Sequence, residues 1–301
     1  MRLTVVHNPS AGDEAHAGDR PTAADLRRHL SDLGHDVRYV SSKGDWQPTL
    51  DEPADLLVAA GGDGTVAKVI RHGVGHSAPL AILPLGTANN VARSLGIEGD
   101  WRDLAAGWRR SNSRPFDVGR IGGAGGRFVE AVGGGFMAEL IRRGEKEVEG
   151  RVPHGGERNR ALDLLVDVIS SAEPARWTVT LDGSDHQGEY LAVEAMNIGF
   201  AGPNVPLSAT ADPGDGLLDV VLVGENDRSL LLAYLRQRLD GGSADKPRLP
   251  VRRARSVRLR VDSGRPVGHV DDEVADGLAI GAPVELDLAN GAVSILLPAV
   301  D

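Results

Sequence analysis

The sequence predicts an α/β domain over residues 1–118 followed by a β-rich domain over 119–301. Three observations carry that division. Apolar runs alternate with helix-compatible stretches through the first third, the mark of a mainly parallel sheet covered by helices. After about residue 118 the alternation gives way to short, glycine-punctuated strands. At 301 residues, the chain also exceeds what one hydrophobic core comfortably fills, and a hydrophobic content of 41% suffices for two.

In the first domain, Leu3 to His7 reads as strand one. Ala23 to Leu33 is an amphipathic helix with Leu26, Leu30 and Leu33 on one face, Thr22 as its N-cap and Gly34 as its stop. Val37 to Val40 is strand two, Leu56 to Ala60 strand three and Leu80 to Leu83 strand four, with Val66 to Arg71 helix-compatible between the last two. Asp100 can cap a further helix containing Trp101, Leu104, Ala105 and Trp108. In the second domain the expected strands are Phe128 to Val132, Trp177 to Leu181, Tyr190 to Ile198, Leu217 to Val223, Val257 to Val261 and Val284 to Leu288. Arg160 to Ser170 and Ser229 to Leu239 are helical, and the charged stretch Glu145 to Arg160 is expected to be a mobile loop. The last run, Val293 to Leu297, can pair with either domain, so the final strand is free to return to the first.

Composition removes several classes of function. A net charge of -10 opposes nonspecific nucleic-acid binding and strongly polybasic membrane attachment, so any membrane contact must be local. No run approaches the roughly 20 apolar residues of a membrane span. The first residues lack a signal peptide's basic flank and long apolar region, so a cytoplasmic protein is expected. Cysteine is absent, which excludes disulfides and thiolate metal sites, and the nine histidines show no zinc-ligand spacing. Arg252, Arg253, Arg255, Arg258 and Arg260 form the one basic cluster. It reads either as an outward-facing charged strand or as a patch for anionic headgroups.

The chemistry gathers in turns. Gly61-Gly62-Asp63-Gly64-Thr65 follows a strand and opens a helix; its glycines let the backbone approach phosphate oxygens and adopt positive φ, where helix N–H groups converge. Alone it is either a strand-to-helix turn with a capping Asp or a phosphate cradle in which Asp63 serves a bound Mg²⁺-nucleotide. Two further polar turns follow strands of the same sheet: Asn8-Pro9-Ser10-Ala11-Gly12 and Gly86-Thr87-Ala88-Asn89-Asn90. Ligands of open α/β sheets gather beyond the carboxyl ends of strands, so three such turns favour the cradle.

In this order the motifs resemble those of the diacylglycerol kinase catalytic-domain family of lipid kinases, which also holds sphingosine and ceramide kinases, and most closely its soluble bacterial members. The matching pieces are Asn8 to Gly12, Gly61 to Thr65, Pro84 to Asn89 running into Ala92-Arg93-Ser94-Leu95-Gly96, Asp215-Gly216-Leu217-Leu218-Asp219 and Asp271-Asp272-Glu273. The resemblance implies a Rossmann-like α/β domain of the kind found in NAD kinases and phosphofructokinases, a β-sandwich-like second domain, and ATP held in the cleft between them. It assigns the ATP site to Asn8, Pro9, Ser10, Ala11 and Gly12, to Ser41 or Ser42, to Gly61, Gly62, Asp63, Gly64, Thr65, Val66 and Ala67, and to Gly86, Thr87 and Asn89. Asp63 would act beside the Mg²⁺-phosphate chain, and Glu273 would accept the proton of a lipid hydroxyl. A Mg²⁺ away from the phosphates would take the Asp215 carboxylate and the carbonyls of Asp212 and Leu217. Without the family, Asp271 to Glu273 is a solvated acidic turn and Asp212 to Gly216 an Asx-type turn.

Three departures bear on substrate. Asp13 stands where many relatives carry a phosphate-reaching base, leaving neutralisation to Arg20 or Lys43; Asn90 replaces a frequent Asp; and Asp272 replaces a glycine. The expected function is an ATP- and Mg²⁺-dependent lipid kinase acting on diacylglycerol or a related lipid, peripheral at the inner membrane face, without nucleic acid, homo-oligomeric or not. The alternatives are an NAD kinase, opposed by missing motifs of that family, and a non-catalytic nucleotide or lipid sensor.

Overall fold

A computed structural model of the protein describes residues 1–12, 20–123, 126–149, 157–242, 245–275 and 281–298. The chain forms two units, Met1–Val118 with Asn290–Asp301, and Gly119–Ala289.

The first unit comprises β1 (Arg2–His7), α1 (Ala23–Asp32), β2 (Asp36–Ser41), α2 (Gln47–Leu50), β3 (Leu56–Gly61), α3 (Asp63–His72), β4 (Leu80–Pro84), α4 (Asn90–Ser94), α5 (Trp101–Gly107) and the start of β5 (Ser113–Ile121). β2, β1, β3 and β4 lie side by side in parallel. α1 and α5 start where the sequence predicts, whereas α3 begins at Asp63, three residues before the expected stretch. Thr22 and Asp25 form a reciprocal capping box at α1, and Asp100 accepts the Arg102 N–H at α5. Leu26 and Leu30 meet Leu3, Val5, Leu56 and Val58 in one buried cluster that also takes Trp101 and Trp108.

The second unit continues from β5 through β6 (Arg127–Phe128), β7 (Ala131–Gly135), α6 (Phe136–Glu149), α7 (Glu157–Ser171), β8 (Ala175–Leu181), β9 (Ser184–Tyr190), β10 (Ala192–Met196), β11 (Phe200–Ala201), β12 (Val205–Pro206), β13 (Leu218–Val223), α8 (Arg228–Leu239), β14 (Val251–Ala254), β15 (Ser256–Ser263), β16 (Gly268–Val270), β17 (Glu273–Ala275) and β18 (Val284–Leu296). One sheet runs β14-β13-β10-β7-β16-β17, and the N-terminal half of β18 pairs with β15, then β8 and β9. The inward residues of both sheets form a single core, with Trp177, Val179, Val257 and Leu259 from one and Val132, Val193, Val220 and Leu222 from the other, which is a β-sandwich. The other face of the first sheet is covered by α6, α7 and α8.

Four expectations change. Phe128 to Val132 is two strands, because Val129 and Glu130 bend to hold another turn. Tyr190 to Ile198 divides into the end of β9 and all of β10; β9 is too polar to show apolar alternation and forms through the Asp182-Gly183 turn, where both residues take positive φ. The stretch expected as a loop is helical over 145–149 and 157–160, with 150–156 outside the described residues; α6 was hidden by its charged second half, and Phe136, Met137 and Leu140 bury its first. Finally, Val284 to Leu288 and all but the last residue of Val293 to Leu297 belong to one 13-residue strand. Its later half returns to the first unit, where Ile295 stands beside Leu80.

Besides its backbone pairing, that returning segment is tied down by a buried carboxylate: Asp117, 2% exposed, accepts the Gly291 N–H at 2.6 Å. Asp117→Ala is expected to cost about 1–3 kcal/mol in chemical denaturation, and Asp117→Asn, which keeps an acceptor, less.

Candidate functional site

Three loops meet at the carboxyl ends of β1, β3 and β4. After β1, the Asn8 Oδ1 accepts the Ser10 N–H at 3.1 Å and its carbonyl the Ala11 N–H, closing a turn that ends at Gly12 with φ of 93°. A side chain at Gly12 would press within 2.7 Å of the Leu85 carbonyl, so glycine serves both conformation and space there.

After β3, Gly62 is the N-cap of α3 in extended conformation and Asp63 is the first helical residue. None of Gly61, Gly62 and Gly64 has positive φ, contrary to expectation. Their small size is what counts: a Cβ on Gly61 would meet Thr65, and one on Gly86 would overlap the Gly62 backbone. The third turn places Asn89 at φ of 53°, with its side chain accepting the Gly86 N–H at 2.9 Å and donating to the Gly86 carbonyl at 2.7 Å. Asp63 is not a cap of its own helix. Its Oδ1 accepts the Val91 N–H at 3.0 Å, tying the start of α4 to the start of α3.

Together the loops line a cavity of about 340 Å³ with Asn8, Ala11, Gly12, Ser42, Gly62, Asp63, Gly64, Thr65, Gly86 and Thr87, all expected there. Pro9 and Ser10 lie in the first turn outside the lining and Ser41 ends β2; Gly61 ends β3, Val66 and Ala67 are buried in α3, and Asn89 holds the third turn from behind. Two cations join them. Lys43, whose Nζ donates to Ser10 Oγ at 2.6 Å, was one of two candidates for phosphate neutralisation; the other, Arg20, instead donates to the Gly12 carbonyl. Lys68 was missed, although its place four residues after Gly64 puts both on one helical face. Asp13 lies outside the described residues. With α3 starting at this cavity, backbone N–H groups and the positive helix end add to the two lysines, and among the described residues Asp63 is the one carboxylate in the lining. This donor set suits an anion of several phosphates carried with an oxygen-seeking divalent cation.

The acidic positions of the second unit are held in two different ways. At Asp212 to Leu217, Asp212 Oδ1 accepts the Gly214 N–H, Asp215 Oδ1 accepts the Leu217 N–H at 2.9 Å, and the other Asp215 oxygen pairs with Arg253. Arg253 also reaches buried Asp219 at 3.2 Å. The carboxylate expected to ligate Mg²⁺ is thus engaged by a guanidinium, and among the described residues no group of three acidic or histidine side chains could hold a metal. At the acidic turn, Asp271 is buried, whereas Asp272 and Glu273 are exposed. The basic cluster is spread over β14 and β15, strands of different sheets, and there Arg258 meets Glu285 at 2.7 Å and Arg260 meets Asp262 at 2.7 Å.

Residues 2–121 match the diacylglycerol kinase catalytic domain, and residues 161–297 the YegS C-terminal NAD kinase beta sandwich-like domain. A Pseudomonas aeruginosa protein named "Probable lipid kinase YegS-like" is 30% identical over 99% of this chain and 94% of its own length. A Bacillus subtilis protein named diacylglycerol kinase is 23% identical over 86% of each chain. A crystal structure of a diacylglycerol kinase from Bacillus anthracis superposes with a TM-score of 0.68 at 18% identity, covering 99% of this chain and 98% of that one.

Two measurements probe the cradle. Gly86→Ala should destabilise the fold by at least about 1–3 kcal/mol in thermal melts, since backbone rather than a yielding side chain receives the new methyl. At the end of β1, burial holds the His7 imidazole down at about 4, and its Nδ1 lies 2.8 Å from the Tyr39 hydroxyl. The unfolded chain therefore takes up that proton first, and stability falls as pH drops from about 6.5 towards 4, by up to ~3 kcal/mol. His7→Gln should flatten that segment of the pH–stability curve.

The cradle, the two matched domains and the full-length relative lead to one conclusion: this chain belongs to the diacylglycerol kinase and YegS-like family of lipid kinases.

Proposed function

We propose that the protein transfers the γ-phosphoryl group of ATP to a hydroxyl of diacylglycerol or a closely related lipid. The observation that carries this reading is the cavity in which three backbone turns, Lys43, Lys68 and Asp63 converge. In the reaction, the lipid oxygen forms a bond to the γ-phosphorus while the bond to the bridging β–γ oxygen breaks, and ADP leaves. The backbone of Gly12, Gly62, Gly64 and Gly86 cradles the phosphates, and the two lysines balance their charge. Mg²⁺ carried with the nucleotide supplies further neutralisation of the phosphoryl oxygens, with Asp63 as the residue that would hold it. Glu273, exposed at the start of β17, takes the hydroxyl proton.

For a second Mg²⁺ at Asp212, Asp215 and Leu217, the same reading requires Arg253 to leave Asp215, because guanidinium and metal compete for one carboxylate. Among the described residues no helix is long and apolar enough to cross a membrane. In this reading the lipid is met by peripheral contact.

The test is incubation of the protein with labelled ATP, Mg²⁺ and vesicles containing diacylglycerol, with NAD as a separate acceptor. Labelled phosphatidic acid is expected; NADP formed at ordinary enzyme rates instead would overturn the proposal. Asp63→Asn, which preserves the acceptor for Val91, and Glu273→Gln should each lose about 100-fold or more in kcat while melting like the parent. Lys68→Ala should raise KM for ATP by about 10-fold.

A further inference from the structure

Glu194 on β10, Gly133 on β7 and His269 on β16 stand in register across three neighbouring strands. Directly opposed residues share a face, and the missing side chain at Gly133 lets the outer two meet above it. His269 Nε2 lies 2.7 Å from Glu194 Oε2, and a Cβ on Gly133 would overlap that same oxygen. The pair is sealed, with 4% of His269 and 1% of Glu194 exposed, and Glu194 Oε1 has no hydrogen-bond partner among the described residues. Packing alone does not account for it, since apolar side chains would fill this layer without removing two charges from water.

The other ring nitrogen points to a purpose. His269 Nδ1 lies 2.9 Å from the carbonyl oxygen of Asp271, the residue that starts the acidic turn with φ of 51°. The Asp271 carboxylate accepts the Val129 and Glu130 N–H groups at 2.9 and 2.8 Å, and its own N–H donates to the Ala131 carbonyl at 2.8 Å. A left-handed aspartate is thus fastened on every side, two residues before Glu273. Both His269 nitrogens face acceptors, and only an imidazolium donates to both.

We propose that His269, clamped by Glu194, is a positioning residue that holds the acidic turn and thereby sets where the Glu273 carboxylate stands. The proposal rests on reading Glu273 as the proton acceptor. The groups facing the imidazole support it. Glu194 and Asp271 are both negative, β7 contributes no charge, β17 sets Val274 opposite the ring, and on α6 Arg142 and Arg143 are tied to Glu139. Burial by itself would lower the His269 pKa, but the Glu194 charge and hydrogen bond, with the Asp271 carbonyl and charge, raise it above 6.5 overall. The stability that the clamp contributes is therefore fully present below about 6.5 and is lost as pH rises through the higher folded value.

The variants separate this role from simple packing. His269→Phe removes the donor to Asp271 and is expected to lower kcat by about 10-fold or more with KM for ATP within about two-fold. Glu194→Gln can donate its amide N–H to an unprotonated Nε2 while Nδ1–H still serves Asp271. It should keep kcat within about three-fold and move the alkaline limb of the pH–rate profile. A folded His269→Phe protein with parental kcat would overturn the proposal. Two readouts need no turnover and stand even if the lipid-kinase assay of the parent fails. In the full chain labelled with ¹⁵N-histidine, His269 should still be mostly protonated on both nitrogens at the pH where an ordinary imidazole is half-titrated, about 6.5, and amide exchange over 268–275 should quicken in His269→Phe. A ring already mostly neutral there, or unchanged exchange, counts against the clamp.

Discussion

Adjacent strands β3 and β4 run in parallel with Gly61 beside Pro84, and the turns that follow them can converge only because Gly62 and Gly86 touch through bare backbone. The cradle depends on that contact. One methyl group at Gly86 would push the third turn away from the second, and with it Thr87 and the Asn89 side chain that shapes the turn. Asp63 reinforces the same convergence by accepting the Val91 N–H, so one carboxylate serves both architecture and the cavity lining. Its two duties explain why an acidic residue can stand among groups that otherwise favour anions.

The second unit uses the same device for a different end. Gly133 leaves a gap in a strand, and the gap is filled by an ion pair from the strands on either side. Glycine here provides room above a sheet rather than freedom of φ. In both units the candidate site positions are exposed or cavity-facing residues supported by buried polar contacts, an economical way to fix loops that regular secondary structure leaves unpaired.

Much of the fold was legible in the sequence where local pattern decides. The Thr22 and Asp100 caps, the apolar stripe of α1 and the buried runs of β1, β3 and β4 needed no tertiary information. The three cradle turns were legible as well, since each follows a strand of one sheet. Legibility failed where polar surface masks structure. β9 shows almost no apolar alternation and is held by its hairpin partner β8, while α6 carries its charges in one block and packs its apolar first half into a core built by segments distant in sequence. Lys68 escaped notice because a lone lysine on an amphipathic helix is ordinarily a solvated residue.

By itself the sequence determined the α/β-then-β order, the strand-end turns and most of the residues that line the cavity at those turns, because these follow from periodicity and turn chemistry within a few residues. Only the tertiary structure decided that β18 serves both units, that Asp215 is engaged by Arg253, and that Asp271 is a buried anchor while Glu273 stays at the surface. Those outcomes depend on strand register and on long-range hydrogen bonds such as those joining Asp271 to Val129, 142 residues apart, and Gly291 to Asp117, 174 residues apart. No local pattern encodes such pairings, since a one-residue slip in register would place every side chain on the opposite face.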